Sequence, residues 1–259
     1  NAIKIMNRAL LALDRIGARL AFLDGGNKHN AIPRECEAVV LVPSKRLEDA
    51  GKIAGELSAT VRAELASVEP DLSVSTTKLN SRKKWKVMRK GEQQKIMKTI
   101  SALPHGVIRM SADIPGLVET STNVAVVKTI KDTIRTATSQ RSSVASEISD
   151  ISQSVSFIFE LGGATVQHTD AYPGWKPDLD SPILGIAKSA FRALYGKDPE
   201  VKAIHAGLEC GIIGERVPGM DMVSFGPTLE GVHSPDEKIY IDTVERFWNF
   251  LLEILKRVN

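Results

Sequence analysis

The sequence predicts an α+β domain over residues 1–171, helices laid over a mostly antiparallel sheet, joined to a small α/β piece over residues 172–259. Three observations carry this reading. Apolar residues recur at helical spacing in two long stretches: Leu47, Ala50, Ile53, Ala54, Leu57, Val61 and Leu65 in one, and Val244, Phe247, Trp248, Leu251, Leu252 and Leu255 in the other. Apolar or β-branched runs at 107–110, 117–127 and 129–136 follow one another between turn residues, as the strands of an antiparallel sheet do. The segment Tyr172-Pro-Gly-Trp-Lys-Pro-Asp178 then breaks the composition and marks the boundary.

Taken in order, Ile3, Met6, Leu10 and Leu13 define a helix over 1–16 stopped by Gly17. Asn1 is not an initiator Met and helical spacing is already under way, so the chain is expected to be a fragment opening inside or at the edge of a helix. Residues 20–23 are a strand running into the turn-rich Asp24-Gly-Gly-Asn-Lys-His-Asn30-Ala-Ile-Pro33. A strand at 37–42 is closed by Pro43, and 72–76 alternates as another. A helix over 92–103 ends before Pro104, and one over 144–161 is closed by Gly162-Gly163. A strand at 164–169 completes the first domain. The second piece should hold a helix over 182–195, a buried strand at 201–204, a loop after Gly211, a short strand ending at Phe225, and the C-terminal helix packed on its sheet. That is few elements for a free-standing core.

The 259 residues are 42% hydrophobic, enough for a sizeable core, and the net charge of +3 is too small to imply a nucleic-acid or membrane partner. No apolar run reaches the length of a transmembrane span and no signal peptide opens the chain. The two cysteines, Cys36 and Cys210, lie in unrelated settings and read as reduced thiols of a cytosolic protein. The most basic run, 78–90 around Trp85, has the composition of a single-strand-binding patch. The near balance of charge favours an exposed, solubilising strand and turn instead.

Chemistry-bearing residues concentrate near the C-terminus. His205-Ala-Gly-Leu-Glu209-Cys210-Gly211 is followed by Met222-Val-Ser-Phe-Gly-Pro-Thr-Leu-Glu-Gly-Val-His233-Ser-Pro-Asp-Glu237. A histidine in a turn with carboxylates nearby suits a metal ligand, and equally a surface histidine. Glu209 can touch a substrate amino group or support its loop. Cys210 near His205 has the parts of a thiol nucleophile without a third orienting group, and reads as a small buried cysteine.

The 205–237 stretch resembles the C-terminal signature of the aminoacyl-histidine dipeptidases, the Xaa-His or carnosinase-like branch of the zinc exopeptidases. Gly25-Gly-Asn-Lys-His-Asn30-Ala-Ile-Pro33, Leu117-Val-Glu-Thr120-Ser-Thr122-Asn123, Gln140-Arg141-Ser-Ser143 and Tyr172-Pro-Gly-Trp are similar to the same family, so the resemblance covers nearly the whole chain. It implies a lid domain inserted in an α/β catalytic domain of which only the C-terminal part is present. It implies substrate contacts at Asn30, Thr122, Arg141 and Glu209, with Arg141 clamping the substrate's C-terminal carboxylate in its guanidinium fork. It further implies His233 as a zinc ligand in a site of two metal ions, a dipeptide substrate, a cytoplasmic setting and a homodimer through the lid.

The departures are equally specific. The family's His-x-Asp motif, Glu-Glu pair and Gly-Gly-His-Ser-Gly motif have no counterpart here; His168-Thr-Asp170 is read as coincidence because it falls on the lid's last strand. Zinc needs three or four ligands. The expectation is therefore a fragment with no catalytic residue of its own, inactive alone. The alternative is a non-catalytic dimerisation or binding module that keeps the fold.

Overall fold

The computed structural model describes residues 1–80, 83–112, 114–169, 174–175, 178, 180–201, 209–231 and 237–258. They fall into two compact units: residues 1–110, 120–141 and 146–169 in the first, and 111–119, 142–145 and 170–259 in the second.

In the first unit, α1 (Ala2–Asp14) opens with Asn1 as its N-cap and buries Ile3, Ala9, Leu10 and Leu13 at helical spacing. The strands β1 (Arg19–Gly25) and β2 (Cys36–Leu41) pair antiparallel, Leu23 opposite Ala38 and Gly25 opposite Cys36, with an irregularity between Leu20 and Phe22. After α2 (Leu47–Leu65) and α3 (Lys90–Ala102) come β3 (Gly106–Met110), β4 (Val118–Ile130), β5 (Thr133–Ser142) and α4 (Ala145–Leu161). The sheet runs β2-β1-β4-β3, with β5 also pairing β4. Its core joins Ile3 and Leu10 of α1, Leu20 and Leu23 of β1, Met97 and Ile100 of α3, Val124 and Val127 of β4, and Ile151 and Val155 of α4.

Polar groups in this core are mostly partnered, as burial requires. The Gln93 amide accepts from the Leu20 N–H at 2.7 Å and donates to Asp14 at 2.7 Å and to the Ala18 carbonyl at 3.0 Å, locking α3 to the end of α1 and the start of β1. Lys4 sends its ammonium to the carbonyls of Ile100, Ser101 and Leu103 at 2.7, 2.9 and 2.8 Å, a cationic cap on the C-terminus of α3.

The second unit is thinner. α5 (Pro182–Tyr195) starts on the Ser181 cap with Pro182 in its first turn and ends at Gly196, φ 67°. α6 (Glu209–Arg216), the two-residue strands β6 (Leu229–Glu230) and β7 (Lys238–Ile239), and α7 (Asp242–Arg257) follow. α7 packs on α5 through Phe191 and Phe250, 5.4 Å apart, and Phe225 fills the notch between Phe247 and Phe250. Ala187, Ala190 and Ile254 are its buried apolar residues.

Several expectations are corrected. Residues 72–76 form no strand: the Val74 N–H reaches Ser58 Oγ on α2 at 3.2 Å in place of a ladder. Residues 164–169 form none either; Ala164 closes α4 by donating to Phe159, and His168 bonds Ser156 at 3.1 Å. Residues 222–225 form no strand among the described residues, and the loop expected after Gly211 is the body of α6. The strand placed at 129–136 is two strands meeting at the Lys131-Asp132 turn, Lys131 standing at φ 54°. The basic run 83–89 is irregular chain, and among the described residues α7 packs on α5. A pattern that permits pairing makes no strand without a partner edge. The strand expected at 201–204 lies, beyond Val201, outside the described residues.

Candidate functional site

The loop between β1 and β2 is built by two glycines. A side chain at Gly25 would meet Cys36 Sγ at 2.7 Å and Ile3 Cγ1 at 2.9 Å, so its absence lets α1 seat on the strands. Gly26, at φ +72°, would put a Cβ 2.0 Å from the Ala125 carbonyl oxygen. The chain can therefore leave the sheet pressed against β4. The loop's base is closed by Gly26 N–H on Glu35 O at 3.3 Å and Ala2 N–H on Pro33 O at 2.9 Å. Residues 27–32 stand exposed, with Asn30 in the turn. Asn123 on β4 donates from Nδ2 to the Ala31 carbonyl at 2.8 Å.

Gln140 on β5 donates to Thr122 Oγ1 at 3.1 Å, so these two side chains share one face of the sheet. Strand alternation then puts Asn123 and Arg141 on the other face. The structure thus relates the Asn30 loop and Arg141 to one side of the β4–β5 pair, while Thr122 is buried on the opposite side with its hydroxyl engaged. An amide and a guanidinium on a common face can together bind a carboxylate.

Glu209 is the first residue of α6 and exposed, in the helix's first turn where a carboxylate is favoured. His233 lies between β6 and β7 in sequence and outside the described residues, as do His205 and Asp170. Among the described residues no group of three or more His, Cys, Asp or Glu is placed to hold a metal ion, so they do not by themselves fit a zinc centre. Neither cysteine is a ready nucleophile. Burial, with Asp24 nearby, pushes the Cys36 thiol up to about 12, and burial followed by Glu209 raises that of Cys210. In the basic run, Lys83 Nζ stands 3.9 Å from the Trp85 ring centroid and Trp85 lies 6.4 Å from Phe22.

Two residues escaped the sequence reading. Asp221 belongs to the Met220-Asp-Met-Val-Ser224 run of the resemblance, but the sequence assigns it no role; it accepts from the Ser181 hydroxyl and from the Ile183 N–H at 2.7 Å, capping α5. Asn123 was inside a quoted motif, but only its bond to a loop 92 residues away shows what it does.

The family model for peptidase family M20/M25/M40 matches residues 15–257. The chain belongs to that family. It is 34% identical over its whole length to the cytosol non-specific dipeptidase of Escherichia coli strain K12, and covers 53% of that protein. It also superimposes on the crystal structure of aminoacylhistidine dipeptidase from Vibrio alginolyticus with a TM-score of 0.85 at 36% identity, again over 100% of this chain and 53% of the other. The resemblance stated from the motifs is thereby borne out, and the chain spans about half the length of the relatives it matches.

Proposed function

We propose that this chain is the C-terminal part of a zinc-dependent dipeptidase acting on Xaa-His dipeptides, and that alone it does not hydrolyse them. The first unit is the lid, inserted in a catalytic domain to which the second unit contributes. The observation that carries this reading is the end-to-end likeness to an aminoacylhistidine dipeptidase, over only half of that protein.

Within the reading, Arg141 and Asn30 hold the substrate's C-terminal carboxylate, the guanidinium through both oxygens and the amide as a donor. Thr122 lies on the opposite face, where its hydroxyl accepts from Gln140 and backs the sheet behind Arg141, and Glu209 takes the substrate's amino end. His233 is one zinc ligand; the described residues do not supply the others. The complete enzyme works in the cytoplasm, as the name of the Escherichia coli relative suggests for that protein, and pairs through its lid. Among the described residues no helix is long and apolar enough to cross a membrane.

The test is hydrolysis of β-alanyl-histidine by the purified 259-residue chain with added zinc. No turnover is expected. Zinc-dependent cleavage would overturn the claim of inactivity. Binding of β-alanyl-histidine without turnover, lost in Arg141→Met, supports the lid assignment. No binding at any pH favours the non-catalytic module. The two relatives' names differ in breadth, so binding of alanyl-alanine as tight as that of alanyl-histidine would remove the histidine preference.

A further inference from the structure

We propose that Asn123 is a positioning residue for the Asn30 loop, its amide polarity set by the cap of α1; the proposal rests on the reading of Asn30 as a substrate contact. The argument is one of donors and acceptors. Asn1 caps α1 by accepting the Lys4 N–H on Oδ1 at 3.2 Å. That choice leaves Asn1 Nδ2 as a pure donor on its other side. Nδ2 meets the Val124 carbonyl at 2.9 Å, His105 Nδ1 at 3.3 Å and Asn123 Oδ1 at 3.4 Å, two protons shared among three acceptors. Because a donor faces Oδ1 of Asn123, the other end of that amide must be its NH2. This is the end that reaches the Ala31 carbonyl at 2.8 Å, one residue beyond Asn30.

The flip state of Asn123 is therefore dictated from the helix cap outward. The backbone bonds at Gly26 and Ala2 hold the base of the loop, and Asn123 ties the exposed tip. An amide that must meet a carboxylate gains from a backbone already held in place, since ordering the loop at the moment of binding would cost affinity. A hydrophobic residue at 123 would leave the sheet intact and the tip loose. An aspartate would set an acceptor against the Ala31 carbonyl while still accepting from Asn1.

The experiment is a double-mutant cycle in the whole chain. Binding of β-alanyl-histidine is followed by NMR for the wild type, Asn123→Asp, Asn30→Ala and the double variant. Asn123→Ser, too short to span the gap, serves should the aspartate variant fail to fold. Loss of the Asn123 bond is expected to weaken binding about tenfold in the wild-type background and by less than about twofold in the Asn30→Ala background. Equal weakening in both backgrounds, or none in the first, overturns the proposal. Backbone order parameters of residues 27–32 form a second arm, expected to fall in both Asn123 variants and to stay unchanged in the control Gln94→Ala. If the wild type does not bind the dipeptide, the functional reading fails separately. The order parameters then decide whether Asn123 holds the tip, unchanged values overturning that too.

Discussion

The two units use similar amphipathic helices and bury them very differently. In the first, α1, α3 and α4 each find a sheet face, and large side chains such as Ile3, Leu20, Met97 and Ile100 are 1–2% exposed. In the second, α7 carries a long apolar stripe, yet Trp248 remains 55% and Leu255 60% exposed, and the buried apolar residues among those described are two alanines and Ile254. A stripe of apolar residues specifies one half of a contact; burial needs the other half. The first unit contains both halves. The second holds more apolar surface than its own described elements cover.

That contrast sets the order of expected effects. Leu20→Ala should cost about 2–5 kcal/mol of first-unit stability in urea, read from Trp85 fluorescence, because the cavity opens in a packed core. Leu255→Ala, at an exposed site, should change second-unit stability by no more than about 0.5 kcal/mol in urea, read from Trp248 fluorescence. Equal costs would remove the distinction between the units. Lys4→Met should cost the first unit about 1–3 kcal/mol, by leaving the carbonyls of Ile100, Ser101 and Leu103 without their shared donor.

A smaller effect follows from His105, whose ring is held below its ordinary value of 6.5, first by burial and then by nearby positive charge. The unfolded chain takes up the proton first. First-unit stability should be fully present above 6.5 and fall as pH drops from there through the folded value. The urea midpoint of His105→Gln should lose that dependence. The smallest effect on stability is expected at Trp248: Trp248→Glu should leave urea unfolding unchanged within about 0.5 kcal/mol. It should lessen self-association in sedimentation velocity, since large exposed apolar patches drive association.

Legibility in the sequence follows the same line. The helices α1, α2, α3, α4, α5 and α7 announce themselves, because helical periodicity and stops such as Gly17 and Gly162 act within a few residues of one another. Most of the strand errors concern partners. Residues 72–76 and 164–169 have the right residues and, among the described residues, no strand to pair with. β5 continues through Ser139, Gln140 and Arg141, polar positions that no apolar run marks, because β4 lies beside it. The Lys131-Asp132 turn has no glycine to betray it. In the candidate site, motif spelling pointed to Asn30 and Arg141, whereas Asn123's tie to Ala31 spans 92 residues and has no local signal.

By itself the sequence determined the helices other than α6 and the family kinship, since these depend on periodicity, turn chemistry and residue order along the chain. Only the tertiary structure decided which extended segments became strands, which face of the β4–β5 pair carries Arg141, and which amide holds the Asn30 loop. Each of those is a pairing between distant residues. Its energy exists only when both partners arrive, so neither partner alone can reveal it.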